Sequence, residues 1–236
     1  MTRTVSRLAL LVGVCLVTVT TTRLLAATTV RVMTGLNSPR GLAIGPGGAL
    51  FVAEAGIGGS GSCIISSINE RRCYGLSGSI SRLLNGVQQR IVTGLPSHAL
   101  PGGDAAAGPN DIGFQGTGAM FVLMGLGFDP AARPSFGNGG ELFGRILQIS
   151  ASGAIQEAGD VSAYEDSVNP GKGPIDSNPF GMLVLPSVRL VADAGANALL
   201  SVVPSGLVNT VAVFPSRPDR STDAVPTAVA VGPDGA

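Results

Sequence analysis

A proline-led hairpin returns four times along this chain, and that recurrence limits the fold more than any other feature. The copies align on Pro39, Pro109, Pro179 and Pro226. Each proline is followed by a short apolar strand: GLAIG, DIGFQ, GMLVL and TAVAV. In the three complete copies a tight turn (GPGG, QGTG, LPSV) leads into a second strand, ALFVAE, AMFVLM or RLVAD. Two more strands follow each time, GSISRLL, GRILQIS or NALLSVV and then QQRIVTG, AIQEAGD or LVNTVAV. Four short strands per unit, joined by hairpins, predict an all-β fold of the β-propeller kind, with a solenoid of hairpins as the structural rival.

The prolines stand 70, 70 and 47 residues apart, against about 40–50 residues for a usual blade, so the excess sits in insertions. The reading divides the chain into a closing strand of a last blade over 28–37, blade one over 38–96, blade two over 97–160 and blade three over 161–215. Residues 216–236 open a fourth. About three blades are therefore expected, an incomplete ring, and the preferred explanation is a C-terminally truncated chain. The unpaired flank and the orphan strand at residues 225–231 predict self-association.

Composition narrows the partners. Lys+Arg and Asp+Glu both number 15, so the basic footprint of nucleic-acid binding is missing. The 35 glycines among Val, Ile and Leu suit frequent tight turns. Residues 1–27 read as an export signal, with Arg3 and Arg7 ahead of an uncharged run over 8–19 and Ala26 and Ala27 for cleavage. That run is shorter than the roughly 20 residues of a membrane span, although an uncleaved anchor is the alternative. The expected location is secreted or extracytoplasmic. Cys15 falls within the signal and leaves Cys63 and Cys73, for which a disulfide is expected and metal binding is the rival.

Loop lengths place the candidate site. The first-to-second and third-to-fourth turns are short in every unit. The long insertions (56–77, 96–111, 125–142, 160–179, 215–226) all belong to the opposite face, where a small molecule, a glycan or a protein would bind. Candidate ligand-binding residues there are Arg40, His98, Asn110, Asp111 and Asn178, with Asp104, Asp176 and Phe180 nearby. His98, the only histidine, is read either as a base or metal ligand or as an exposed loop residue. Glu54 and Asp193 end equivalent second strands, and with Asn110 they are candidate Ca²⁺ ligands; the alternative is that each fixes the glycine-rich turn behind it. Arg40 is read as facing an anionic ligand or neutralising Glu54, and Arg71-Arg72 as a solvated loop tip. No cofactor is required by the sequence.

The order GLNSPRGLAIGPGGALFVAEAG, CYGLSGSISRL, VTGLPS, GPNDIGF and LMGLGFDPAAR resembles the ScyD/ScyE family, as does AYEDSVNPGKGPIDSNPFGMLVLP with VADAGANALLSV. The resemblance runs from about Thr28 to Ala236. It implies an exported, NHL-like propeller associated with biosynthesis of the pigment scytonemin, with no catalytic residues to carry across. Pro109-Asn110-Asp111 is also similar to the metal-ligand motif of SMP-30/gluconolactonase-type enzymes, which implies a Ca²⁺-dependent lactonase or hydrolase. PRGLAIGPGGALFVAE is similar in outline to soluble quinoprotein sugar dehydrogenases. Binding module, hydrolase and dehydrogenase are thus three open readings.

Overall fold

Alternation along the repeats builds three antiparallel sheets in this computed structural model, which describes residues 29–66, 69–216 and 223–235. The export signal read over residues 1–27 lies outside them. Val32–Ala236 cluster as one compact unit. The first sheet holds β1 (Pro39–Ile44), β2 (Leu50–Glu54), β3 (Cys63–Ile65), β4 (Arg71–Leu84) and β5 (Val87–Ala99). Its order is β1-β2-β4-β3, with β5 also on β4. The second runs in sequence order through β6 (Pro109–Gln115), β7 (Ala119–Met124), β8 (Arg145–Ile149) and β9 (Ile155–Asp160). The third does the same through β10 (Pro179–Val184), β11 (Arg189–Asp193), β12 (Ala198–Val202) and β13 (Val208–Val213). One helix, α1 (Val161–Val168), follows β9.

The repeated proline has a repeated geometry. Pro39 pairs with Glu54, Pro109 with Met124 and Pro179 with Asp193, and the register slips immediately afterwards in all three sheets. Such an irregularity bends the strand and redirects the next side chain. The first strands β1, β6 and β10 lie side by side, giving the sheets a blade-like stacking. β7 shows why its run AMFVLM is apolar on both faces. Met120, Val122 and Met124 pack against Phe51, Ile80 and Leu95 of the first sheet. Phe121 and Leu123 pack against Met182, Val191 and Leu200 of the third.

Several expectations are corrected. The insertion read as a loop over 56–77 contains β3 and the first half of β4, and β5 runs on to Ala99 instead of ending at Gly94. The Cys63–Cys73 disulfide is present as expected; it ties β3 to β4, and the two cysteines are register partners. The 160–179 insertion forms α1, started by the Asp160 carboxylate, which accepts from Ala163 N, and ended by Asn169 in the left-handed region. No strand is assigned within residues 29–37 or 223–235. Thr34 instead exchanges two hydrogen bonds with the Gln88 side chain. The 223–235 segment lies against β10 without a ladder, so close that a side chain at Gly181 would stand 2.6 Å from the Thr227 carbonyl. No helix among the described residues is long and apolar enough to cross a membrane.

Candidate functional site

The irregularity after each proline aims the following residue at one place. Arg40, Asn110 and Phe180, one from each sheet, line a single cleft of about 380 Å³. Residues from the long insertions complete it: Arg72, Ala105–Ala107, Gly127, Asp176, Asn178 and Asp223. Of the five predicted ligand-binding residues, Arg40, Asn110 and Asn178 therefore meet here, while His98 and Asp111 do not line it.

Each lining group is fixed by its neighbours. The Arg40 guanidinium donates to the Ala106 carbonyl at 2.8 Å and stands 5.9 Å from the Phe180 ring centre. Arg72 donates to the Ala105 carbonyl at 2.6 Å and pairs with Glu70 at 2.7 Å. The two arginines hold Ala105 and Ala106 between them. Arg72 is not a solvated tip: it lies on β4, and strand alternation turns it inward while Arg71 is exposed. Asn110 is buried and donates from Nδ2 to the Pro179 carbonyl at 2.9 Å, joining the second and third sheets. Gly125 is needed for this approach, since a Cβ there would come within 2.2 Å of Nδ2. Asn178 Oδ1 is buried in the cleft wall with no hydrogen-bond partner. Burial raises the Asp176 carboxyl, and the Asp223 and Asp129 charges raise it further.

Asp111 acts as a staple behind the cleft. Its Oδ1 accepts from Ile112 N at 2.8 Å and its Oδ2 from Met182 N at 2.7 Å, which binds β6 to β10. Burial pushes its carboxyl up against the pull of these two bonds.

His98 is buried rather than exposed. It lies on β5, stacked on Phe136 at 4.9 Å and edged by Phe128 and Phe143. Its Nε2 donates to the Leu126 carbonyl at 2.7 Å, while Nδ1 is buried without a partner. The donor role fixes the Nε2–H tautomer. Burial lowers its pKa from 6.5 to about 4; the bond to Leu126 opposes this and the Arg72 charge adds to it. His98 is neutral at pH 7 and does not line the cleft.

The carboxylates proposed as Ca²⁺ ligands have other partners. Glu54 Oε1 accepts from Ser81 at 2.6 Å and Arg90 at 3.0 Å, and Oε2 from Asn37 N and Arg90 at 2.6 and 2.8 Å. Burial pushes its pKa up, but these hydrogen bonds and the Arg90 charge hold it below the ordinary value. Arg90, not Arg40, neutralises Glu54. Asp193 Oδ1 accepts from the backbone of Asn178, Gly195 and Ala196, and Oδ2 from Ser177 Oγ at 2.7 Å. It fixes the turn behind β11, as the alternative reading had it. No group of three or more His, Cys, Asp or Glu among the described residues is placed to hold a metal.

What the cleft offers is two guanidinium groups, two carboxylates, two amides and one aromatic face. Opposed charges make it selective neither for simple anions nor for simple cations. A ligand with several hydroxyl or mixed donor and acceptor groups satisfies it best.

No family model matches the chain, and no curated protein does. Among solved structures, virginiamycin B lyase from Staphylococcus aureus is 13% identical, with 81% of this chain and 73% of that one covered and a TM-score of 0.34. A streptogramin B lyase is 16% identical over 84% of this chain and 60% of its own, with a TM-score of 0.40. A Thermus thermophilus protein assigned as an oxidoreductase (glucose dehydrogenase) is 18% identical, with 86% and 90% covered and a TM-score of 0.34. At these scores the likeness fixes neither the fold nor the chemistry of this chain.

Proposed function

We propose that this chain is an exported, NHL-like β-propeller of the ScyD/ScyE type that works as a binding module, linked through that resemblance to pigment or secondary-metabolite biosynthesis. Its cleft takes an uncharged or zwitterionic polar small molecule or a glycan. The observation that carries this reading is the convergence of Arg40, Asn110 and Phe180, three repeat-equivalent positions, around the unpartnered Asn178 Oδ1. Such a site binds by hydrogen bonds and by stacking on Phe180.

A panel of mono- and oligosaccharides titrated calorimetrically tests the proposal. Asn178→Ala and Arg72→Gln should each weaken the best ligand by about tenfold, about 1.4 kcal/mol. Unchanged affinity in both variants, or no binding by any panel member, would overturn it.

A Ca²⁺-dependent hydrolase is the second reading, favoured by the oxygen donors of Asn110, Asn178, Asp176 and Asp223 in one cleft. Stoichiometric Ca²⁺ uptake abolished by Asn110→Ala, with lactone hydrolysis, would replace the binding reading with this one.

A further inference from the structure

A larger cleft, of about 500 Å³, lies between the first and second sheets and is lined by residues of their hairpin turns. Its size falls within the range of about 300–1,000 Å³ usual for small-molecule sites. It shares no lining residue with the cleft described above and bears on none of the conclusions drawn from it.

Its floor is apolar. Phe51, Met120 and Ile149 are buried there, and Phe114 tilts against Phe51 with ring centres 4.7 Å apart. Half-buried Ile91 and Val92 continue the apolar wall.

The charge on this cleft has one sign. Arg82 and Arg90 line it, and no aspartate or glutamate does. Arg90 is committed to the buried Glu54 at 2.8 Å. Arg82 is different: it is half-buried and has no hydrogen-bond or ion-pair partner among the described residues. It is the register partner of Phe51 on the neighbouring strand, so the free guanidinium stands beside the aromatic floor. A partly desolvated guanidinium beside apolar surface is stabilised by an anion with two coplanar oxygens, which it grips in a fork.

We infer that this cleft binds an amphiphilic monoanion, an aromatic or branched apolar body carrying a single carboxylate, with Arg82 as the carboxylate receptor. The apolar body fills the space over Phe51, Phe114 and Met120. The carboxylate pairs with Arg82, and the Glu54–Arg90 pair is left intact.

The test uses 1-naphthaleneacetate and its uncharged amide as probes, on full-length protein labelled with methyl-¹³C methionine. Met120 lines the cleft and reports occupancy directly; Met182, on β10 of the third sheet and outside the cleft lining, is the internal control. The acid should shift the Met120 methyl to saturation and leave Met182 unmoved, and the amide should bind at least about tenfold more weakly. Arg82→Gln should bring the acid down to the amide's affinity, and Arg82→Lys should keep part of the preference. Equal binding of acid and amide to the natural chain would overturn the proposal whether or not the variants fold. So would a Met120 signal that never moves, or wild-type affinity in Arg82→Gln.

Discussion

Acidifying the protein from about pH 7 to about pH 5 loads two buried groups with opposite effects. His98 titrates near 6.5 in the unfolded chain and at about 4 in the folded one. Its folded-state pKa is depressed, so the unfolded state takes up the proton first and stability falls as the pH drops through this window. With those two values the loss reaches about 2 kcal/mol by pH 5. Glu165 behaves in the reverse sense. It lies on α1, 1% exposed, with Oε2 buried and unpartnered. Burial first, and the Asp193 charge second, raise its pKa from 4.5 to about 7. A carboxyl raised in the folded state binds its proton more tightly there, so stability rises on acidification, again by about 2 kcal/mol over the same window.

From these two groups the natural chain should thus show little change in unfolding free energy between about pH 7 and pH 5, while the single variants diverge. His98→Gln keeps a donor for the Leu126 carbonyl and removes the titration, so it should gain about 2 kcal/mol on acidification. Glu165→Gln should lose about as much relative to the natural chain, and the double variant should run parallel to the natural chain. The assay is guanidinium unfolding at each pH, with the slope against denaturant checked for constancy. Each variant's own packing cost shifts its curve as a whole and leaves the pH dependence readable. If His98→Gln tracks the natural chain within about 0.5 kcal/mol at every pH, the neutral, buried state of His98 is refuted. Imidazole ¹⁵N shifts give an independent check: a protonated Nε2 and a bare Nδ1 at pH 6.

Two further perturbations test the scaffold. Reducing Cys63–Cys73, which closes a separation of 10 residues, should raise hydrogen exchange in β3 and the first half of β4 and leave β8 and β12 protected; loss of protection throughout would show that the disulfide supports more than its hairpin. Glu54→Ala strands the Asn37 amide, the Ser81 hydroxyl and Arg90, whose side chain is 39% exposed and so partly rescued by water. A cost of about 2–3 kcal/mol in unfolding free energy is expected, and a cost under about 0.5 kcal/mol would show that the pair is replaceable.

What the sequence revealed and what it hid divide along one physical line. Strand positions, the proline-led register and the Arg40–Asn110–Phe180 equivalence are local patterns with period two, and a repeat prints them three times. The choice of partner for a buried charge is not local. Glu54 meets Arg90 because β2 pairs with β4 and β4 with β5, where a register slip between Ile80 and Ser81 sets Arg90 opposite Ser81. Nothing in the spacing of Glu54 and Arg40 announces that outcome. Arg72 was legible in principle, since alternation from the disulfide-bonded Cys73 puts it on the opposite face of β4 from Cys73, but only once 71–84 is known to be strand. His98 shows the same dependence: its aromatic surroundings come from Phe128, Phe136 and Phe143, all about 30 or more residues downstream. Helix α1 is too short to print a periodicity, and its signals are the capping residues Asp160 and Asn169 at either end. A free Arg82 and an unpaired Asn178 Oδ1 are likewise features that the repeat does not duplicate, since each depends on which neighbours the folded sheets bring within reach, and they are the groups on which the two binding proposals rest.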